Sequence, residues 1–223
     1  GYNIEKVHRE KHFMEELIIY EFSKNEVLKK VEQFNIKKIS YFTKGKHSII
    51  YSGILDTKEV VCKTSQTHFT QKEQVFLQKL QTYSFVPKLY HFDTKIQIME
   101  KCQGLIIKDF LENSSKEDTL IVLQKCLDVC HTLDTLGYQK FELTNPYKHI
   151  FIDKELNIKF IDFERTIHSQ SPKNVTQFLQ YIRRNLPILK KKEICIKPEN
   201  ILKLAEIYKK DNKKIIFSQL LLK

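Results

Sequence analysis

The chain has 223 residues, 41% of them apolar and 11% aromatic, enough for one sizeable core or a small two-lobed domain and too apolar for a disordered tail. No apolar run reaches the ~18 residues of a membrane span, since the longest, around 215–222, is broken by Ser218 and Gln219; no membrane partner is expected. The net charge of +11 is uneven, because residues 171–223 hold 13 Lys+Arg and only 4 Asp+Glu. That block reads either as a footprint for RNA or an acidic partner or as a solvated helical face.

Positions 1–12 are mostly polar, so no signal peptide is expected there and a cytoplasmic location is the expectation. Five cysteines without a CxxC pair argue against both a disulfide framework and a structural zinc site. In chain order, residues 13–33 carry apolar positions at three and four spacing, including Leu17, Ile18, Phe22, Val27, Leu28 and Val31, the period of one or two amphipathic helices. The period then changes. Ile36–Thr43, His47–Ile54 and Glu59–Thr64 are β-branched and aromatic runs separated by Lys44-Gly45-Lys46 and Asp56-Thr57-Lys58, a strand meander with tight turns.

A helix is expected at about 70–82, then strands near 88–92 and 96–101. Residues 118–136 have a strong helical period that Gly137 would stop, with Cys126 and Cys130 four apart on one face. Short strands follow at Ile150–Asp153 and Ile158–Ile161. The remainder, 173–223, is helical in pattern with breaks expected at Pro187 and Pro198, and Phe178, Tyr181, Tyr208 and Phe217 are spaced like core positions. Strands followed by helices give an α+β fold class. The expected organisation is a helical extension at 1–33, a β-rich part at 34–103 and a mostly helical part at 104–223.

Glycine is scarce, with five residues where average usage would give about 16, so each internal one is expected where the backbone demands it. Lys44-Gly45-Lys46-His47-Ser48-Ile49-Ile50-Tyr51-Ser52-Gly53 resembles the glycine-rich hairpin of protein-kinase-like folds. Val60-Val61-Cys62-Lys63 resembles the strand whose lysine meets nucleotide phosphates, and Glu73 the helix glutamate that pairs with it. Asp162-Phe163-Glu164 stands where the metal-binding DFG turn would be. Upstream, Glu142 takes the place of the catalytic Asp and His149 that of the metal-ligating Asn. Glu142-Leu143, Pro146, Lys148-His149-Ile150, the terminal Asp162-Phe163-Glu164-Arg165 and Pro172-Lys173-Asn174-Val175-Thr176-Gln177 are similar to small predicted archaeal serine/threonine protein kinases. Those are relatives of the RIO kinases and of the kinase in the tRNA threonylcarbamoyl-adenosine complex. The resemblance covers roughly residues 36–190.

What the resemblance implies is a two-lobed fold, with a β-rich N-lobe of about five strands and one helix and a reduced helical C-lobe. It further implies ATP in the cleft between lobes and Mg²⁺-dependent transfer of the γ-phosphoryl group to an unidentified protein or small-molecule acceptor. Lys63, Glu142 and Asp162 would be catalytic. Gly45, Ser48, Lys63, Glu73, Glu100, Cys102 and Lys148 would contact or position nucleotide, and Asp162 with His149 would hold the metal. Three alternatives remain open: a small-molecule kinase, since Asp162-Phe163-Glu164 also resembles the turn of choline kinases; a nucleotide-binding pseudokinase; and an RNA-binding module using the basic tail.

Overall fold

The computed structural model describes residues 8–11, 14, 24–25, 27–44, 48–64 and 69–221, with the side chains of 69–73 left aside. The chain is α+β and divides into two compact units, residues 1–81 with 88–101, and residues 82–87 with 102–223. Of the helical pattern expected at 13–33, residues 27–34 are described as helix (α1); Leu17, Ile18 and Phe22 lie outside the described residues.

The first unit is built on a five-stranded antiparallel sheet in the order β1-β2-β3-β5-β4. Its strands are β1 (Lys37–Lys44), β2 (Ile49–Leu55), β3 (Lys58–Thr64), β4 (Leu89–Phe92) and β5 (Ile96–Glu100), with helix α2 (Phe69–Lys79) between the third and fourth. β2 and β3 join through a two-residue turn at Asp56–Thr57, where Asp56 takes φ 56°. Such left-handed backbone suits a short polar side chain and matches the twist of a tight hairpin. Alternate residues Ile49, Tyr51, Val60, Cys62, Ile96 and Ile98 are buried with Val27 and Ile36 in one core, the period-2 pattern of a sheet with a covered face.

Asp93 closes the β4–β5 turn. Its Oδ1 accepts from the backbone N–H of Lys95 and Ile96 at 2.9 and 3.0 Å, and its Oδ2 meets Lys30 Nζ at 2.7 Å. Gln74 Nε2 donates to its backbone carbonyl at 2.9 Å. One turn residue therefore ties α1 and α2 to the hairpin.

The second unit is mostly helical: α3 (Ile107–Asn113), α4 (Lys116–Leu136), α5 (Asn174–Arg184), α6 (Leu186–Lys190), α7 (Pro198–Asp211) and a final 3₁₀ turn at Phe217–Leu220. Ser115 caps α4 by accepting from the Asp118 N–H at 3.1 Å, and Gly137 ends it at φ 75°, as the sequence suggests. Cys126, Cys130, Phe178, Tyr181, Tyr208 and Phe217 are all buried. The helical stretch breaks at Pro187 and Pro198, as expected. They occupy the first turns of α6 and α7, where a missing N–H costs no intrahelical bond.

Five strands complete this unit. β6 (Leu105–Ile106), β8 (Ile150–Ile152) and β9 (Ile158–Phe160) form one small sheet, and β7 (Tyr138–Gln139) pairs with β10 (Ile167–His168). Gly104, at φ 99°, enters β6 so close to β8 that any Cβ would run into the Ile152 carbonyl. Two-residue strands carry no readable period, and β6, β7 and β10 are not foreseen from sequence. Among the described residues, no helix is long and apolar enough to cross a membrane.

Candidate functional site

The site lies wholly within the second unit, on the loops that leave β7 and β9. Ile150 pairs with Phe160 across the β8–β9 ladder. Antiparallel pairing sets the residue before one strand opposite the residue after the other, and the Ile161 N–H accordingly donates to the His149 carbonyl at 2.9 Å. That bond brings the His149 side chain beside Asp162. On the other side, the Asn145 N–H donates to the Glu142 carbonyl at 3.1 Å and the His149 N–H to the Pro146 carbonyl at 2.9 Å. These turns fold Glu142 back over the same histidine.

His149 is 6% exposed and stands between two carboxylates. Its Nε2 lies 3.2 Å from Asp162 Oδ2 and its Nδ1 3.4 Å from Glu142 Oε2, the latter without hydrogen-bond geometry. One ligand atom from each of the three residues fits within 4.8 Å. Arg165 Nη1 donates to the other oxygen of Glu142 at 3.1 Å, while its guanidinium lies 5.7 Å from the Phe141 ring centroid. Glu142 and Asp162 both sit at left-handed φ, 69° and 67°. For a glutamate in particular that conformation costs about 1 kcal/mol and persists because the turns on either side hold it.

Lys140 is a site residue that the sequence motif does not single out. It is 1% exposed, and its ammonium lies 5.3 Å from the ring centroid of fully buried Phe163. Burial, and then the Lys140 charge, hold the His149 imidazole below its ordinary pKa, against the opposing pull of Asp162 and Glu142. The available signal for Lys140 was its place two residues before Glu142, but nothing in the sequence distinguishes a buried lysine from a solvated one. Glu142 pairs with the guanidinium of Arg165, with His149 beside it.

A polar hub fixes the strand from which this loop departs. Asn174, fully buried at the start of α5, accepts from the Lys140 N–H at 3.0 Å and donates through Nδ2 to the Tyr138 carbonyl at 2.6 Å. It also donates to Asp134 Oδ1 at 2.7 Å, and Asp134 accepts as well from the Asn174 and Val175 N–H groups and from the Tyr208 hydroxyl. A carboxylate at the α5 N-terminus satisfies otherwise orphaned donors. Asn174 passes that rigidity to residues 138–140.

The remaining site residues fall elsewhere. Lys148 is exposed, with its ammonium 5.6 Å from the Tyr147 ring. Lys63 is buried on β3, paired with Ile50 and Gln97; Ser48 is buried just before β2; and Glu100 ends β5, accepting from the Lys88 N–H at 3.1 Å. Cys102 is half-buried immediately after that strand. Gly45 lies outside the described residues, and Glu73 is described only as a backbone position in α2. In the basic tail, Lys192 is a structural tie, donating to the Ser114 carbonyl, Ser114 Oγ and Thr119 Oγ1. Lys209 and Lys214 pair with Glu206 and Asp128.

Next to the 142–149 loop, within the same unit, runs an open groove of about 440 Å³ lined by Lys108, Glu112, Asn145, Tyr147, Tyr181 and Arg184 among others. No protein-family model and no curated protein matches the chain. The arrangement itself, two carboxylates around a buried imidazole with three cations nearby, has the donor set to hold a divalent cation and the positive charge to face an anionic ligand.

Proposed function

We propose that the protein is a divalent-cation-dependent phosphotransferase of the protein-kinase-like class, acting on ATP and an acceptor hydroxyl. The observation that carries this proposal is the convergence of Glu142, His149 and Asp162 within 4.8 Å, with Glu142 and Asp162 at strained backbone positions. Strain of this kind is retained where a site needs it. The sheet order of the first unit, with one helix between its third and fourth strands, agrees with the N-lobe that the resemblance implies and supports the two-lobed reading.

Phosphoryl transfer demands positioning and charge neutralisation more than covalent chemistry. Asp162 and His149 would hold the ion, and a bound Mg²⁺ or similar dication supplies neutralisation of the β- and γ-phosphate oxygens. A buried imidazole is a less usual partner for Mg²⁺ than an oxygen ligand, but two carboxylates keep the site strongly cation-favouring. Glu142 Oε1, held only by the exposed Arg165 in the described contacts, is the oxygen placed to accept the proton of the acceptor hydroxyl. Lys140 and Lys148 bring positive charge to the same loop. Lys63 would meet the α- and β-phosphates, as the resemblance implies.

The test is thermal unfolding of wild type and Asp162→Ala with ATP, with and without Mg²⁺ or Mn²⁺, followed by transfer of labelled γ-phosphate. Ligand at ~100 times Kd should stabilise by about 2.7 kcal/mol, a shift of roughly 5–10 °C for a chain of this size. A cation-dependent shift that vanishes in Asp162→Ala, together with cation-dependent turnover, is the expected result. No shift at millimolar ATP would overturn the proposal.

A further inference from the structure

The open groove of about 440 Å³ beside the 142–149 loop takes its walls from three elements of one unit: Lys108 and Glu112 on α3, Asn145 and Tyr147 on the loop, and Arg184 at the end of α5. Backbone contact ties the first two walls together, since the Lys108 N–H donates to the Tyr147 carbonyl at 3.4 Å. The groove also begins close to the site. The Asn145 N–H donates to the Glu142 carbonyl at 3.1 Å, closing a turn whose end residues lie within about 7 Å of each other.

The charges of this groove are unanswered. Lys108, Glu112 and Arg184 are all exposed, and among the described residues none of the three side chains makes an ion pair or a hydrogen bond. Lys148, with its ammonium 5.6 Å from the Tyr147 ring, adds a third cation at the loop wall. Cations therefore outnumber Glu112, and the occupant they favour is anionic. The mixed lining narrows it further. A phosphodiester chain carries a charge at every residue and would set one against Glu112, and its bases would find a single exposed aromatic ring. A peptide is charged only where a side chain makes it so. Its backbone N–H and C=O match the exposed amide of Asn145, which both donates and accepts, and Tyr147 offers an amphipathic surface at low conformational cost.

We infer that this groove docks an acidic polypeptide segment, and that Lys108 and Arg184 select it by pairing with Asp or Glu side chains near the acceptor hydroxyl. The inference rests on the phosphotransferase reading above and names its acceptor class. Arg184 can grip a carboxylate through two N–H donors, whereas Lys108 acts as a point charge. An extended peptide advances about 3.3 Å per residue. With the hydroxyl at Glu142 Oε1, carboxylates about two to five residues away fall in the groove.

The experiment follows fluorescence anisotropy of a labelled serine peptide with Asp at the flanking positions, titrated with the full chain at low salt and without nucleotide. A counterpart with Lys at those positions and an oligouridylate of the same charge as the acidic peptide are the comparisons. The acidic peptide should bind at least 10-fold more tightly than either, and Lys108→Glu and Arg184→Glu should each weaken it about 3–10-fold. The double variant should bind the Lys peptide more tightly than wild type does, a gain that a misfolded chain could not show. Equal binding of acidic and Lys peptides, unchanged affinity in both single variants, or tighter binding of the oligouridylate would overturn the inference. Phosphoryl transfer from ATP to the two peptides at equal kcat/KM would also overturn it, and would spare the phosphotransferase reading. Selective binding of the acidic peptide without cation-dependent transfer would keep the docking site and sink that reading.

Discussion

The sheet of the first unit and the loop site of the second are held by different kinds of contact. In the sheet, β2 and β3 pair residue for residue from Ile49↔Thr64 to Leu55↔Lys58 around a two-residue turn. Its core comes from alternate apolar side chains of adjacent strands, joined by Val27 and Ile36. The site depends instead on a few single bonds outside any repeated pairing, such as Asn174 to Tyr138 and Lys140, and on backbone held at positive φ at Glu142 and Asp162. A structure built on repeated local pattern tolerates many single changes. One built on a single buried amide does not.

The largest effect is expected at that amide. Asn174→Ala removes the acceptor of the Lys140 N–H and the donors to Tyr138 and Asp134 in a fully buried place, and each stranded group costs about 1–3 kcal/mol. A loss of about 3–5 kcal/mol in chemical denaturation is expected, with hydrogen exchange accelerated at residues 138–140. A loss below ~1 kcal/mol would show that the hub is redundant.

In the sheet, the matching change is Ile98→Ala, which empties a position 1% exposed. It should cost about 2–5 kcal/mol, toward the lower end if neighbouring side chains close the gap, and should leave Mn²⁺ binding at the second unit's site intact. Loss of metal binding in this variant would break the separation drawn between the two regions.

Acid sharpens the comparison further. Partial burial works against the Asp93 charge, but its contacts with Lys30, the Lys95 and Ile96 N–H groups and His91 outweigh that and hold the carboxyl well below its ordinary 3.8. A carboxyl whose pKa is lower in the folded state contributes stability that is present above that ordinary value. The contribution is lost as pH falls through and below it. Stability measured from pH 6 down to pH 2 should fall less steeply in Asp93→Asn than in wild type. Parallel curves would remove the turn from any role in acid unfolding.

The smallest change in stability is expected where function suffers most. Glu142→Gly relieves a left-handed glutamate, a gain of about 1 kcal/mol, and loses an exposed ion pair with Arg165 that contributes about 0–1 kcal/mol. The net shift should stay within ~1 kcal/mol of wild type, while Mn²⁺ affinity and phosphoryl transfer both fall. Destabilisation by several kcal/mol would mean that Glu142 holds the loop together instead of serving the site.

Much of the first unit was legible in the residues themselves. The runs Ile36–Thr43, His47–Ile54 and Glu59–Thr64 lie within a residue or two of β1, β2 and β3, and the helix at 70–82 overlaps α2. Period and turn chemistry act over a few residues, and a sequence displays them directly. The same holds for α4, whose stop at Gly137 ends a regular apolar stripe, while its cap at Ser115 emerged from the structure. Pro187 and Pro198 were equally legible, since each falls in the first turn of a new helix.

At the site, the sequence alone singled out Glu142, His149 and Asp162 as chemistry-bearing residues in a motif-like order. That they meet was implied only by the resemblance, because 20 residues separate the first from the last and their encounter is set by the β8–β9 register and two turns. Nor could it show that Lys140 is buried, that Arg165 takes one oxygen of Glu142, or that the histidine ring is wedged between two carboxylates. Residue type and local spacing determined the α+β class, most of the elements and the candidates for chemistry. Tertiary structure decided their distances, charge states and partners, since burial and Coulomb interaction depend on what the chain brings near, whatever its separation in sequence.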